Sequence, residues 1–230
     1  MSANHAAFNL IFRFVENYVS PIAGRISAQR HVMAIRDGFI SAMPFMIVGS
    51  FLLVFAYPPF SPDTTWGFAR AWLDMAKQFE GQILTPFDMT MGIMSIYICA
   101  AIAYNLGKHY VKSHQLDPFM CAMLSLMAFL LIAAPKTKGA MPMDSLGGTG
   151  IFTAILVAIY CVEMMRFLKA HNIGIRLPDQ VPPMIKNSFD LLIPVLVVVL
   201  TLYPLSLFIQ SQFDLLIPQA IMAVFKPLVS

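Results

Sequence analysis

Long apolar runs alternate with short polar connectors along this chain. The run at 38–57 holds twenty residues without a charge, and at about 1.5 Å per residue it covers the roughly 30 Å hydrocarbon core of a bilayer. Runs of this kind predict an all-α integral membrane protein with about five transmembrane helices. The predicted spans are residues 38–57, 87–106, 118–134, 146–167 and 191–209.

Two segments outside these runs predict helices at the membrane surface, and a third predicts a short apolar helix. In residues 8–22 the apolar side chains fall on one face of a helix and the polar side chains on the opposite face, which predicts an amphipathic interfacial helix. A secretory signal is the alternative, but the stretch has no uninterrupted apolar core and no small-residue cleavage site. Residues 60–86 predict a second surface helix, capped around Asp63 and carrying Trp66 and Trp72 at headgroup level. Residues 213–230 predict a short apolar helix.

The connector 176–189 separates two apolar runs and carries three prolines. Pro178, Pro182 and Pro183 lack backbone donors and hold the chain extended, so we expect no helix to pass through this segment. A segment that is not helical would leave backbone groups unpaired in hydrocarbon. The connector therefore marks a membrane boundary. Prolines inside the first and fifth spans predict bends in those helices.

Lys and Arg residues are distributed unequally between the two sets of connectors. With five spans, one side holds ten of them and the other holds five. Because cytoplasmic loops carry the excess of positive charge, we expect a cytoplasmic N-terminus and a C-terminus outside. Lys136 and Lys138 fall on an outer loop, where a re-entrant segment would accommodate them. The ten inner residues are Arg13, Arg25, Arg30, Arg36, Lys108, Lys112, Arg166, Lys169, Arg176 and Lys186.

Composition supports a membrane protein and gives no sign of nucleic-acid binding. Hydrophobic residues make up 58% of the chain and charged residues 12%, about half the usual soluble share of roughly 25%. The net charge of +3 comes from the connectors and not from a basic patch interleaved with aromatic residues. The lipid bilayer is therefore the expected partner, and nucleic acid is not.

Residues with chemistry of their own are few. Glu163 is the one carboxylate inside a predicted span, where an ionisable group costs roughly 2.5–3.5 kcal/mol at the bilayer centre. It is the candidate substrate-binding residue, although we favour a pair with Arg166, three residues on. The three cysteines lie in spans, where thiols behave as small hydrophobes. The histidines show no metal-ligand spacing, so we expect interfacial or solvated histidines, no metal, no other cofactor and no catalytic residue.

Two patterns of small residues have competing interpretations. Gly92, Ser95, Cys99 and Ala103 form one stripe of the second span, which favours close helix packing, with a substrate groove as the alternative. The glycines at 147–150 do not predict a phosphate cradle, because they lack both a preceding strand and the Gly-Lys-Ser/Thr ending of a nucleotide loop.

Several short motifs carry a resemblance to a known family. They are A-I-R-D-G-F at 34–39 followed by Met43-Pro44, T-M-G-I-M-S at 90–95, L-G-G at 146–148, V-E-M at 162–164, and R-L-P-D-Q-V-P-P at 176–183 followed by Ser188-Phe189. In this order and spacing they resemble the lactose/cellobiose/diacetylchitobiose family of phosphotransferase-system permeases, the enzyme IIC components. The resemblance runs over nearly the whole chain.

The resemblance implies a homodimeric, multi-pass protein of the bacterial inner membrane. Such permeases carry a β-linked disaccharide inward for phosphorylation by a cytoplasmic IIB protein, itself charged through IIA. Family members are about twice this length, with an N-terminal scaffold half and a C-terminal half that holds the substrate-binding His and the Glu of an Asn-Glu-Pro motif. Residues 1–230 contain no Asn-Glu-Pro. We therefore expect the chain to correspond to the scaffold half, with the substrate-binding half absent.

Three functions remain open from the sequence. The first is a permease component that moves a disaccharide only with a complementary half supplied by a second chain. The second is a non-transporting membrane scaffold or a degenerate remnant. The third is an intramembrane enzyme, which would need a nucleophile and base, a paired acid or a metal cluster that the sequence does not offer.

Overall fold

Every regular element among the described residues is a helix, which confirms the predicted all-α fold. The computed structural model describes residues 20–135, 141–175, 178, 180 and 182–229. A 3-10 turn at Gly148–Gly150 precedes α6. The predicted amphipathic helix at 8–22 lies outside the described residues except at its end, where α1 begins. The helices are α1 (Ser20–Ser27), α2 (Arg30–Ala56), α3 (Gly67–Asp88), α4 (Met94–His114), α5 (Pro118–Ala133), α6 (Ile151–Ala170), α7 (Pro183–Asp190), α8 (Leu192–Phe213) and α9 (Ile217–Val229).

Three of the described helical segments are long and apolar enough to cross a membrane, namely Arg30–Ala56, Gly148–Ala170 and Leu192–Phe213. Helix α5 is apolar but shorter, and it coincides with the span predicted at 118–134. It begins sharply because the Asp117 carboxylate accepts hydrogen bonds from the amides of Phe119 (2.8 Å) and Met120 (3.3 Å), with Pro118 in the first turn. The count of five spans stays a prediction.

The boundaries predicted for the second span are wrong. Residues 87–106 do not form one helix, because α3 continues to Asp88, a turn occupies 89–93, and α4 runs on to His114. The carbonyl of Phe87 accepts the amides of Met91 (2.9 Å) and Gly92 (3.2 Å), which closes α3. A side chain at Gly92 would lie within 2.8 Å of Asp88 Cα, so only glycine fits this tight turn. Because the residues on both sides of this turn are apolar, the hydrophobic pattern of the sequence does not reveal the break between the two helices.

The predicted surface helix exists as α3, but its start differs from the prediction. Its N-cap is Trp66, without a side-chain capping bond, so the cap predicted around Asp63 is wrong. Two contacts hold α3 against the end of α2 instead. Trp72 Nε1 donates to the carbonyl of Phe55 (3.1 Å), and Tyr57 Oη donates to Glu80 Oε1 (2.9 Å). The bond to the Glu80 carboxylate raises the pKa of Tyr57 above its ordinary value.

Part of the proline-rich connector is helical. Helix α7 begins at Pro183 and continues directly toward α8, so the extended conformation expected for this connector is wrong from Pro183 onward. A proline at the first position of a helix loses no backbone hydrogen bond, because that amide has no partner within the helix anyway. Residues 176, 177, 179 and 181 of the connector lie outside the described part of the chain.

Side-chain contacts set the directions of the longer helices. Gly38 of α2 lies against Ile102 of α4, while Gly49 lies against Met91, so these helices are antiparallel. Likewise Gly107 lies against Pro118, and Cys99 Sγ is 3.5 Å from the carbonyl oxygen of Ser125, which makes α4 and α5 antiparallel. Helices α6 and α8 run antiparallel through the contacts Tyr160–Thr201 (2.6 Å) and Lys169–Asp190 (2.5 Å). Helices α4 and α6 run parallel, because Ser95 contacts Leu146 and Tyr110 contacts Glu163. In chain order, α2, α4, α5, α6 and α8 therefore alternate in direction.

The buried core surrounds α4, which contacts α2, α5 and α6. Its inward side chains Ile98, Cys99, Ile102, Ala103 and Leu106 are all fully buried. The outer faces of α2 and α8 instead expose large apolar side chains, a pattern that suits lipid rather than water. All three cysteines are buried and unpaired, as expected for thiols that act as small hydrophobes.

The α2–α4 contact yields a stability prediction. A methyl group at Gly38 would approach Ile102 backbone N to 2.9 Å, so Gly38→Ala forces the helices apart. We expect a loss of about 1–3 kcal/mol of unfolding free energy, measured by denaturant titration in detergent micelles. The matched control is Gly81→Ala, where nothing lies within 4 Å of the added methyl group. Equal behaviour of the two variants would contradict close packing at Gly38.

Candidate functional site

Glu163, the candidate residue of the sequence analysis, lies on α6 where α2 and α4 meet it. Its Oε1 accepts a hydrogen bond from Tyr110 Oη (2.6 Å) and lies 2.9 Å from His31 Nε2. Its Oε2 is 2.6 Å from Arg166 Nε, one turn along α6. The Glu163 side chain is 23% exposed. These four residues, His31, Tyr110, Glu163 and Arg166, are named the Glu163 cluster.

The Tyr110 ring is the aromatic centre of this cluster. The guanidinium carbons of Arg30 and Arg166 lie 5.6 and 5.3 Å from the ring centroid, within the range of cation–π attraction. The His114 ring meets it edge-on at 5.6 Å. Tyr110 is only 2% exposed, so its hydroxyl needs a partner, which the Glu163 carboxylate supplies.

The contact between Glu163 and Arg166 is an ion pair and not a directed hydrogen bond. The N–O distance is short, but the buried Arg166 Nε has no described acceptor in hydrogen-bond geometry. The predicted pair between these two residues is confirmed. Because Oε1 contacts His31 and Tyr110 and Oε2 pairs with Arg166, the carboxylate links three helices.

His31 and Tyr110 are the parts of the cluster that the sequence analysis missed. His31 was expected to be interfacial or solvated, but its side chain is 33% exposed and contacts Glu163. The two residues are 132 and 53 positions from Glu163 in the chain. No local spacing could have joined them, since only the packing of α2 and α4 against α6 brings them together.

A second polar junction lies at the other end of α4. The amide of Ser95 donates to the carbonyl of Leu146 (2.9 Å), and Ser95 Oγ donates to the carbonyl of Gly147. A side chain at Gly147 would lie 3.0 Å from the carbonyl oxygen of Gly92. Two of the short motifs, at 90–95 and 146–148, therefore pack directly against each other.

The small-residue stripe is used for packing within the chain. Ser95, Cys99 and Ala103 are fully buried against neighbouring helices, while Gly92 lies in the turn before α4. This favours the packing interpretation over a substrate groove, and it removes the stripe as an exposed surface. Ser50, another polar group of a predicted span, donates to the carbonyl of Ile47 (2.8 Å). Within the described residues, no group of three or more His, Cys, Asp or Glu side chains is placed to hold a metal ion.

The fold and the apolar outer faces define an all-helical integral membrane protein whose polar side chains join its own helices. Residues 36–226 match the family model described as "Phosphotransferase system, EIIC". The chain therefore belongs to the EIIC family of phosphotransferase-system membrane components.

Named relatives and a solved structure agree with this family. The chain is 36% identical over 206 residues to the cellobiose-specific EIIC component of Geobacillus stearothermophilus, covering 81% of this chain and 43% of that protein. It is 34% identical over 221 residues to the lichenan permease IIC component of Bacillus subtilis (strain 168), covering 88% of this chain and 46% of that protein.

The structure resembles the crystal structure of ChbC, the IIC component from the N,N'-diacetylchitobiose-specific phosphotransferase system. The TM-score is 0.79 at 32% identity, with 94% of this chain and 51% of that chain covered. The chain thus spans about half the length of the proteins that it matches.

The Glu163 cluster yields a prediction for coupled residues. Tyr110→Phe removes the hydroxyl donor from Glu163, so we expect a loss of about 1–3 kcal/mol of unfolding free energy. The double variant Tyr110→Phe with Glu163→Leu should lose less than the sum of the single variants, because each single variant already removes the bond between the two side chains. Detergent-micelle unfolding titrations measure this cycle.

The control for this cycle is Tyr104→Phe on the same helix. Tyr104 is 40% exposed, so its substitution should stay within about 0.5 kcal/mol. Strict additivity of the Tyr110 and Glu163 substitutions would show that their contact does not stabilise the protein.

Proposed function

We propose that residues 1–230 form the N-terminal scaffold half of an enzyme IIC permease for cellobiose-, chitobiose- or lactose-type disaccharides. The observation that carries the proposal is the family match over 36–226, with relatives whose names specify cellobiose, lichenan and diacetylchitobiose. The juxtaposition of the motifs at 90–95 and 146–148 supports it, because these segments build one packed junction.

The role of a scaffold is supported by how the polar side chains are used. A disaccharide crossing the membrane needs many hydrogen-bond partners to replace its hydration. Glu163, Ser95 and Ser50 instead bind groups of this chain, as does Thr201, which bonds Tyr160. Sugar binding by Glu163 therefore ranks second to its role in joining α2, α4 and α6. Transport requires a complementary half that provides the sugar site.

The same proposal names the partners and the location. The protein works with cytoplasmic IIB and IIA phosphotransferase proteins, as a homodimer in the bacterial inner membrane, and performs no phosphoryl chemistry of its own. Because the small-residue stripe is buried, the dimer surface lies elsewhere on the bundle. The apolar faces of α2 and α8 are exposed in the single chain, and we propose that they contribute.

The proposed orientation has a cytoplasmic N-terminus, with α1 and α7 on the inner side and α3 on the outer side. The alternating directions of α2, α4, α5, α6 and α8 support it, together with the excess of Lys and Arg in the connectors assigned to the inside. Helix α3 then lies at the outer surface with Trp66 and Trp72 near the headgroups.

Cysteine labelling in cells tests the orientation. Ser61 and Ser113 are both exposed and lie on opposite sides in this proposal. We expect Ser61→Cys to react with a membrane-impermeant maleimide in intact spheroplasts, and Ser113→Cys to react only after permeabilisation. The native chain is the control, because its three cysteines are buried. The reverse order of labelling would overturn the orientation.

Sugar uptake tests whether transport needs a complementary half in addition to this chain. We expect no phosphoenolpyruvate-dependent cellobiose uptake when this chain is the sole IIC component of a cell. Uptake should appear when the C-terminal half of the Geobacillus stearothermophilus cellobiose component is co-expressed, and not with that half alone. Uptake by this chain alone would refute the proposal. Failure of the pair, with both chains present in the membrane, would favour the non-transporting scaffold.

A further inference from the structure

Helices α2 and α8, whose outer faces are apolar and exposed, are displaced relative to each other along the bundle. His31 Nε2 of α2 lies 2.9 Å from Glu163 Oε1 of α6, and Tyr160 Oη of α6 lies 2.6 Å from Thr201 Oγ1 of α8. Because α6 and α8 are antiparallel, the step from Tyr160 to Glu163 corresponds to an equal step back from Thr201. His31 is therefore level with Val198 of α8.

This register offsets the apolar lengths of the two helices, which run in the same direction. The middle of the charge-free run 38–57 lies about 16 residues beyond His31, whereas the middle of Leu192–Phe213 lies about 4 residues beyond Val198. The difference of about 12 residues is an offset of about 18 Å along the bundle. Lipid-facing stretches of the two helices are therefore not side by side.

A bundle with its helices along the bilayer normal, called upright below, does not accommodate this offset. Arg36 and Asp37 form an ion pair at 2.8 Å, and their side chains are 61% and 36% exposed. Counted from His31, this pair is level with the middle of α8. An upright bundle would place the pair at the bilayer centre, where charged groups are costly, or the exposed side chains of Leu196 and Leu200 in water.

The surface helices give a second measure of the same offset. Helix α3 is held at the far end of α2 through Tyr57, and α7 is held at the start of α8 through Asp190. From the His31–Glu163 contact, Tyr57 lies 26 residues along α2, and Lys169, the partner of Asp190, lies 6 residues the other way along α6. Helices α3 and α7 are therefore about 48 Å apart along the bundle. A bilayer with its headgroups is only about 40–45 Å thick.

We infer that the bundle crosses the bilayer obliquely, with its helices inclined by about 35° to the bilayer normal, so that the lipid-facing band descends from α2 to α8. The partner of this band is the acyl region of the membrane. The inference goes beyond the proposed function and depends on membrane location alone. It holds whichever side is cytoplasmic, and whether or not the chain takes part in sugar transport.

The size of the inclination follows from the spacing of packed helices. Helices α4 and α6 lie between α2 and α8, and neighbouring axes are about 8–10 Å apart, so the outer two are separated by about 25 Å. An offset of about 18 Å over this separation corresponds to about 35°, within the range of roughly 0–40° for transmembrane helices. The same inclination brings α3 and α7 to about 25–30 Å apart along the normal, close to the thickness of the hydrocarbon core.

Spin labels on introduced cysteines test the inclination in liposomes of phosphatidylethanolamine and phosphatidylglycerol. The variants are Ile40→Cys and Ile47→Cys on α2 and Leu200→Cys on α8, whose native side chains are 55%, 50% and 64% exposed. The accessibility of each label to oxygen, relative to a water-soluble nickel chelate, measures its depth. We expect the labels at 47 and 200 both to be deeper than the label at 40, by about 9 Å for residue 47.

No upright placement gives this order. Leu200 is level with Met33, so Ile40 lies midway between the levels of Leu200 and Ile47. In an upright bundle the label at 40 is therefore deeper than at least one of the other two, and that result would overturn the inference. Ser61→Cys and Ser113→Cys, both at exposed positions, are the references for full nickel access. The native chain is the blank, because its three cysteines are buried.

Discussion

The close approach of α2, α5 and α6 to α4 is the constraint on which the rest of the structure depends. Lipid tails are as apolar as the helices, so burial of apolar surface does not drive helices together in a membrane, and van der Waals contact between small residues must do so. Gly38 meets α4 directly, and Ser95, Cys99, Ala103 and Gly107 lie along the buried part of α4. A larger side chain at these places would separate the helices.

Polar contacts then fix the position of α4 at both ends. Ser95 bonds the 146–147 backbone at one end, and Tyr110 bonds Glu163 near the other, a separation of about 22 Å along the helix. In a medium of low dielectric constant these hydrogen bonds are stronger than in water, and a buried donor or acceptor without a partner costs free energy. Sliding of α4 against α6 by one turn would break both, so the bonds select one register from the many that apolar packing allows.

The use of polar side chains for contacts within the bundle also bears on function. Side chains that join helices of the bundle bind one another, which suits the scaffold role that we propose for this chain.

The sequence by itself determined the properties that depend on local spacing. The all-α class follows from apolar runs, α5 coincides with the apolar run predicted at 118–134, and the Glu163–Arg166 pair follows from their separation by one helical turn. Tertiary structure alone decided the meeting of His31 and Tyr110 with Glu163. The physical reason is that helix formation is governed by neighbours within a turn, whereas a contact across 132 residues depends on how whole helices pack.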